Sequence, residues 1–282
     1  MMQQIKNKEF GGERPLFASH NLQLKDVTIL DGESALKHCS SIEADNCRFW
    51  GKYPFWHAEK FTINHCHFDV GARSALWYSS YLLMRKTCID APKMFREMHH
   101  LHLDDVVIND ADETFWRCQY VEATNLELHN GTYPFMFCNY LRINGLKCDS
   151  KYVFQYCKNV ELRNANIVTK DSFWECENVN IYDSVIDGEY LGWHSKNVRL
   201  VNCHLSGEQL LCYCDNLVLE NCTFDKSCDR LFEYSTVKAD ISGHIENIKN
   251  PTSGHIVADT IGSITIDENV RQPNNCKIET RQ

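Results

Sequence analysis

Short segments of alternating apolar and polar residues recur along this chain every 19 to 21 residues. Four consecutive segments show the pattern most clearly, at residues 160–167, 179–186, 198–205 and 217–224. Each has apolar side chains at positions 1, 3 and 8, Asn or Asp at position 5 and a small residue at position 6. Alternation with a period of two predicts β-strands, and a short fixed repeat indicates a solenoid, in which similar units stack on one another.

The repeat extends over eleven units between residues 22 and 236. Leucine-rich repeats have a similar length, but their Leu-rich consensus and helical return segment are missing. Each first strand is instead followed by a turn and a second apolar segment, which is typical of a parallel β-helix. The predicted fold is an all-β, single-stranded parallel β-helix of about 11–12 turns. We expect one domain, with an N-terminal cap at residues 1–21, repeats at 22–236, and the last strands with a C-terminal cap at 237–282.

Equivalent positions in successive turns form columns along such a solenoid, and the inward columns predict its core. Ten of the fifteen cysteines fall in two columns of small residues, where a free thiol serves as a small buried apolar group. The even distribution of these cysteines is unlike the paired spacing of disulfides. The main inward column is made of Leu36, Phe55, Leu76, Phe95, Phe115, Phe135, Phe154, Phe173, Gly192, Leu211 and Phe232.

Charge and targeting signals narrow the class of partners. The net charge is −9 and no cluster of Lys and Arg stands out, which argues against nucleic acid as a partner. No apolar run approaches the length of a membrane span, and residues 1–10 lack the apolar core of a secretory signal. With unpaired cysteines in addition, we expect a reduced, cytoplasmic protein without a membrane partner.

A row of tryptophans follows directly after the main inward column and holds five of the six in the chain. Strict alternation places these side chains on the outer surface. Exposed aromatic patches mark binding sites, and indole faces suit the stacking of sugar rings. Three alternatives are compatible with the same pattern: a bend that turns the rings inward, linkers that cover them, or a second subunit packed on them. The predicted ligand-binding residues are Trp56, Trp77, Trp116, Trp174 and Trp193.

An acidic column follows position 8 of the repeat and supplies the candidate catalytic residues. Neighbours in a column are about 4.8 Å apart and next neighbours about 9.6 Å, which brackets the carboxylate separations of glycosidases. Asp69 and Asp90 are candidates for a close pair in which one carboxyl raises the pKa of the other. The structural alternative is that these residues shape turns, as in Asp187-Gly188. The column contains Asp69, Asp90, Asp149, Asp187 and Asp225, with Trp50, Asn109 and His129 on intervening turns.

Metal and cofactor signals are weak in this sequence. Cys212 and Cys214 are separated by one residue and no second Cys pair with zinc-ligand spacing accompanies them. His38 and His57 share a column on adjacent turns, but a third ligand is not evident. We therefore predict no metal site and no cofactor.

The segment at residues 188–221 and the opening at residues 12–17 resemble an uncharacterised bacterial family, the domain of unknown function 3737. The segment contains Gly192-Trp193-His194-Ser195, and the opening reads Gly-Glu-Arg-Pro-Leu-Phe, so the likeness covers essentially the whole chain. Membership implies a right-handed parallel β-helix of the pectin-lyase-like group. It implies no established activity, because that group contains both enzymes and non-catalytic proteins.

Motifs of the known enzymes in that group are not recognisable here. Polygalacturonase-like hydrolases carry Asp-Asp, Gly-His-Gly and Arg-x-Lys in order, whereas His244 and His255 each follow Gly but precede Ile. Asp105, in the pair Asp104-Asp105, falls at position 5, where a turn residue is expected. Calcium sites of the pectate-lyase type are likewise not recognisable.

Two hypotheses of function follow. In the first, the aromatic and acidic outer face binds a carbohydrate or a sugar-derived metabolite and processes it, with Asp149 and Asp187 as acid and base. In the second, the protein is a non-catalytic cytoplasmic scaffold that uses the same row to self-associate or to bind a partner. The sequence leaves open whether the protein is an enzyme.

Overall fold

The computed structural model describes residues 2–270 and 274–281 of the chain. The structure divides into two compact units, Met1–Ser150 and Lys151–Gln282. In the described residues, 24 strands are accompanied by one short 3₁₀ helix, Val70–Ala72. None of these residues form a helix that could cross a bilayer. The predicted all-β parallel solenoid is confirmed, with about 14 turns in place of the expected 11–12.

The described residues of the first unit form fourteen strands. The last of them, β14, ends at Lys151, the first residue of the second unit. They are β1 (Gln3–Lys6), β2 (Glu9–Glu13), β3 (His20–Lys25), β4 (Thr28–Glu33), β5 (Ser40–Asp45), β6 (Arg48–Phe49), β7 (Glu59–Asn64), β8 (His67–Phe68), β9 (Leu76–Trp77), β10 (Ser80–Ile89), β11 (Phe95–Arg96), β12 (His99–Ile108), β13 (Gln119–Thr132) and β14 (Asn139–Lys151).

The second unit continues with the same type of element. Its strands are β15 (Lys158–Arg163), β16 (Asn166–Val168), β17 (Glu177–Tyr182), β18 (Val185–Asp187), β19 (Lys196–Val201), β20 (His204–Ser206), β21 (Asp215–Phe224), β22 (Thr236–Lys249), β23 (Ser253–Thr265) and β24 (Asn275–Thr280). Of the segment predicted as last strands and C-terminal cap, residues 271–273 and 282 lie outside the described part of the chain.

Strand register follows the repeat. In the second unit, Val179 of β17 pairs with Val160 of β15 and with Val198 of β19, so that position 1 of each unit adjoins position 1 of the next. In the first unit, β1 pairs in parallel with β3, and Gln3 lies opposite Leu22. Residues predicted to be an N-terminal cap therefore include a turn of the solenoid, a turn that the apolar pattern missed because only Ile5 of β1 is apolar.

The main inward column forms the core of each unit. In the first unit, Phe115 is fully buried and its ring stacks between those of Phe95 and Phe135, with centroids 4.4 and 4.5 Å away. In the second unit, Phe154 and Phe173 stack at 4.8 Å. The next position is Gly192, and a small apolar cavity lies beside it.

Cysteine thiols fill the two columns of small residues. In the second unit, the Cys176 thiol donates a hydrogen bond to the carbonyl of Phe154 at 2.7 Å. Burial raises the pKa of Cys39 in the first unit and of Cys214 in the second to about 12. These thiols therefore stay protonated and serve as small core side chains.

Position 5 of the repeat adopts the left-handed conformation, which Asn and Asp tolerate better than most residues. Asp105 has φ 53° there, and its Oδ1 accepts a hydrogen bond from Asn125 Nδ2 at 2.9 Å. Side chains of this column also bond along it: Asn202 Nδ2 donates to Asp183 Oδ1 at 2.8 Å. The residues of the column with φ between 51 and 54° are Asp26, Asn46, Asp105, Asn125, Asn164, Asp183, Asn202 and Asn221.

Candidate functional site

The five tryptophans of the row are half-buried. Each indole N–H donates a hydrogen bond to a backbone carbonyl 16 to 18 residues ahead. The polar atom of every ring is therefore used within the chain, where it ties one turn to the next. The bonds run from Trp56 to Ser74, Trp77 to Lys93, Trp116 to Tyr133, Trp174 to Tyr190 and Trp193 to Gln209, at 2.6–2.9 Å.

Neighbouring side chains cover the indole faces in the first unit. Trp56 and Trp77 stack with centroids 5.5 Å apart. The guanidinium of Arg96 lies 4.3 Å from the Trp77 ring and 4.7 Å from the Trp116 ring, which is a pair of cation–π contacts. Lys37 lies 5.5 Å from the Trp56 ring centroid. Both faces of Trp77 are thus occupied, and what it offers to a ligand is the ring edge.

The tryptophans of the second unit are arranged similarly. Trp174 and Trp193 stack at 5.6 Å, and Tyr190 and Tyr213 meet Trp193 edge-on. In both units, the rings lie along the surface and cover one another. The side chains that lie against the indole faces thus come from adjacent turns of the same unit.

A second aromatic column of the first unit is more exposed, and sequence reasoning missed it. Tyr81, His100, Tyr120 and Tyr140 stack in succession with centroids 4.8, 4.9 and 5.0 Å apart. The three tyrosines are 51, 45 and 49% exposed. All four have φ between 56 and 59°, so each begins its turn in the left-handed conformation. We call this column the Tyr–His ladder. Its signal in the sequence is the aromatic residue that recurs just before position 1.

An open groove of about 390 Å³ lies beside this ladder. Two of its lining residues, His99 and Gln119, directly precede His100 and Tyr120 of the ladder. The Arg117 guanidinium lies 5.4 Å from the ring centroid of Phe137, which is 42% exposed. The groove is lined by Glu97, His99, Arg117, Gln119 and Phe137. Its concave surface therefore combines a carboxylate, an imidazole, a guanidinium, an amide and an apolar ring.

The predicted Asp69–Asp90 pair does not have the expected electrostatics. Asn109 Nδ2 donates to Asp90 Oδ1 at 2.7 Å, and His67 Nε2 is 2.7 Å from Asp90 Oδ2. The hydrogen bond from Asn109 is the main cause that lowers the pKa of Asp90, and the bond and charge of His67 add to it against the effect of burial. Asp69 immediately precedes the 3₁₀ helix. The expectation that one carboxyl of this pair raises the pKa of the other is therefore wrong for Asp90.

Asp149 belongs to a cluster of charges in the first unit. His129 Nδ1 lies 3.1 Å from Asp149 Oδ2, and His129 Nε2 lies 3.2 Å from Glu127 Oε2. Burial alone would raise the pKa of Asp149, but hydrogen bonds from His129 and from the backbone N–H of Asn130 outweigh it and lower the pKa. Lys147 first and His129 second lower the pKa of Glu127. These carboxylates are ionised acceptors, which disfavours either as a general acid.

Asp187 and Asp225 lie in the second unit. Ser206 Oγ donates to Asp187 Oδ1 at 2.7 Å. Asp187 also lines an open groove of about 540 Å³, whose lining residues include neither Trp174 nor Trp193. The backbone N–H of Ser227 donates to Asp225 Oδ1 at 2.9 Å and lowers its pKa, which is the turn chemistry of the structural alternative.

Two further groups of interest were not found from the sequence. Burial raises the pKa of Asp171, a half-buried residue of the second unit. In the first unit, ligand-type atoms of His67, Cys88 and Asp90 all lie within 4.8 Å of one another. The sequence does contain a signal for this cluster. Residues 67 and 88 both occupy position 7 of the repeat, on adjacent turns, and alternation places the side chains of that position on the outer surface.

Three solved structures that are similar to this chain each share 10% sequence identity with it. It is similar to the catalytic domain of a GH87 α-1,3-glucanase in complex with nigerose, at 10% identity and TM-score 0.32, over 99% of this chain and 63% of that one. It is also similar to the A-module of mannuronan C-5 epimerase AlgE4 from Azotobacter vinelandii, at 10% identity and TM-score 0.29, over 99% and 87%. A third is a tailspike protein of E. coli bacteriophage HK620 in complex with a hexasaccharide, at 10% identity and TM-score 0.34, over 98% and 71%. Likenesses this distant carry no argument about function.

Among curated proteins, none matches the sequence significantly. The model of a family described as "Protein of unknown function (DUF3737)" matches residues 3–279. Since the match spans nearly the whole chain, this protein belongs to the DUF3737 family.

Proposed function

We propose that the first unit binds a carbohydrate or a sugar-derived molecule in the groove beside the Tyr–His ladder. The observation that carries this proposal is the composition of the groove, in which Glu97, Arg117 and Gln119 share a concave surface with Phe137. Ligand sites combine apolar surface with a few polar groups that fix orientation. A carboxylate accepts hydrogen bonds, a guanidinium donates them, and an amide does both, which suits neighbouring sugar hydroxyls.

The aromatic contribution differs from the stacking that the sequence suggests. Rings of the Tyr–His ladder stack on each other, so a ligand meets their edges and the phenol hydroxyls. These groups repeat every 4.8–5.0 Å along the surface. A regular row of donors and acceptors favours an elongated ligand with repeating hydroxyls over a compact one.

Binding is a better proposal than hydrolysis at the acidic column. A glycosidase requires one carboxyl that is still protonated near neutral pH, and hence a raised pKa. The pKa values of Asp90, Asp149 and Asp225 are instead lowered. Asp149 also lies in a different unit from Asp187 and Asp225. The acid and base roles suggested for Asp149 and Asp187 are therefore not part of this proposal.

A glycan array followed by calorimetry with the best glycan tests the proposal. Arg117→Ala and Gln119→Ala each remove a polar group from the groove, and we expect each to weaken binding by about tenfold, because one hydrogen bond to a charged or amide group contributes on the order of 1–2 kcal/mol. Glu175→Ala is the matched control: it changes the residue of the Arg117 column in the second unit. The proposal fails if no glycan binds, or if the control weakens binding as much as the groove variants do.

The scaffold hypothesis predicts a different result for the same surface. If the Tyr–His ladder is an interface between copies of the chain, light scattering will show a dimer that Tyr120→Asn dissociates. A monomer at all concentrations, together with glycan binding, would instead support the carbohydrate proposal. A ladder-dependent dimer that binds no glycan would replace it with self-association.

A further inference from the structure

Three potential metal ligands converge on the outer surface of the first unit. His67 lies on β8 and Cys88 lies opposite it on β10, so that the two side chains share an outward column on adjacent turns. Asp90 follows two residues after Cys88 on the same face of its turn. The imidazole, thiol and carboxylate atoms all lie within 4.8 Å of one another, and all three residues are half-buried. No residue of the proposed sugar groove takes part.

We propose that His67, Cys88 and Asp90 form a site for a zinc ion. Zinc binds imidazole nitrogen, carboxylate oxygen and thiolate sulfur at about 2.0–2.3 Å, so two ligand atoms on one tetrahedral ion are about 3.3–3.8 Å apart. His67 Nε2 and Asp90 Oδ2 are 2.7 Å apart. The pair therefore separates by roughly half an ångström to admit the ion. A sulfur ligand beside an imidazole favours zinc over magnesium or calcium, which prefer sets of oxygen ligands.

Asn109 orients this site from the next turn. Its Nδ2 donates to Asp90 Oδ1 at 2.7 Å and lies 3.6 Å from Cys88 Sγ. This bond holds one carboxylate oxygen and leaves the other directed at His67. Partners of this kind fix the ligands of zinc sites in a binding orientation. Asn109 is thus a positioning residue.

The arrangement provides three protein ligands on a partly exposed surface. Side chains of His67 and Asp90 are 30 and 31% exposed. A zinc ion held by three protein ligands keeps a fourth position for water or another small molecule, unlike the closed sites of structural zinc. The proposed ion is therefore exchangeable, and removing it should leave the solenoid folded.

Calorimetric titration of the tag-free, reduced protein with Zn²⁺ tests the site. We expect one strong site per chain, and affinity reduced on the order of 100-fold in Cys88→Ser and in His67→Gln, since loss of a supporting partner alone lowers metal affinity by about 10–100-fold. Two matched controls keep wild-type affinity. Cys276→Ser removes another half-exposed thiol, and His204→Gln changes the histidine that occupies the position of His67 in the second unit.

Co²⁺ binding gives a readout that does not depend on affinity. A sulfur-to-cobalt charge-transfer band in the wild-type spectrum, lost in Cys88→Ser but kept in Cys276→Ser, places the thiolate on the metal. Far-ultraviolet circular dichroism confirms that each variant is folded. The proposal is overturned if the wild-type protein shows no such band, if it binds no stoichiometric Zn²⁺, or if the folded ligand variants bind zinc as tightly as the wild type.

Discussion

The two units place different side chains at the same left-handed position of the turn. In the first unit, four successive turns carry the rings of the Tyr–His ladder at this position, Tyr81, His100, Tyr120 and Tyr140. In the second unit it carries Asn159, Asn178, Asn197 and Asn216, with φ between 53 and 59°. The amides bond along the column: Asn178 donates to Asn159 at 3.0 Å, Asn197 to Asn178 at 2.9 Å and Asn216 to Asn197 at 2.9 Å.

This difference shows that the backbone requirement and the surface chemistry are separable. Asn adopts a positive φ at little cost, and its amide is both donor and acceptor, so a column of amides satisfies itself. Tyr and His gain from stacking instead, which occupies the ring faces but leaves phenol hydroxyls and ring edges for a ligand. Along this column, the rings of the first unit therefore leave more groups available to a ligand than the paired amides of the second unit do, and the proposed groove lies in the first unit.

The largest expected effect concerns the core column beneath these surfaces. Phe115→Ala should lower the free energy of unfolding by about 3–5 kcal/mol, because it leaves a cavity between two stacked rings. Gly192→Ala fills part of an existing cavity in the second unit. The buried methyl group stabilises the fold by about 0.8 kcal/mol, but the strain at φ +78° costs about 1–2 kcal/mol. This variant should therefore be slightly less stable than the wild type. Urea unfolding, with hydrogen exchange to locate the change, measures both. A cost below about 1 kcal/mol for Phe115→Ala would contradict the packing argument.

Exchanging the ladder residues tests the surface comparison itself. Tyr120→Asn removes two ring contacts and should cost about 1–3 kcal/mol, at 0.5–1.5 kcal/mol for each. Asn197→Tyr removes two amide hydrogen bonds and should cost about 2 kcal/mol. Both variants keep a residue type that the column already contains, so the backbone is matched. If Tyr120→Asn is neutral in urea unfolding, ring stacking does not stabilise the Tyr–His ladder. If Asn197→Tyr is neutral, amide hydrogen bonds do not stabilise the asparagine column of the second unit.

The smallest expected effect is the pH dependence of the Asp149 cluster. The pKa of Asp149 is lowered in the folded protein, so its contribution is complete above the ordinary Asp pKa near 3.8 and is lost as the pH falls through the lower, folded value. Since the side chain is 56% exposed, solvent screening limits this contribution to less than about 1 kcal/mol. Urea unfolding from about pH 5 to about pH 2, which spans this window, should be less acid-sensitive in Asp149→Asn. Identical pH profiles would show that the pairing with His129 does not contribute.

Strand register, the inward column and the turn residues were predictable because each depends on local periodicity. Val160 and Val179 pair as the repeat requires, and Asp105 at position 5 has the left-handed φ that Asn and Asp tolerate. Spacing did not predict how side chains meet across turns. The cation–π contact of Trp77 and the lowered pKa of Asp90 depend on Arg96 and Asn109, each about 19 residues further along the chain.

The sequence by itself determined the solenoid, because a period-two pattern repeated at a fixed length has one way to bury its apolar positions. It also determined which residues share a column. Only the tertiary structure decided that the tryptophan faces cover one another and that His67, Cys88 and Asp90 meet. The physical reason is that stacking, hydrogen bonding and pKa shifts act over a few ångströms between successive turns, where the contact depends on side-chain conformation as well as on position.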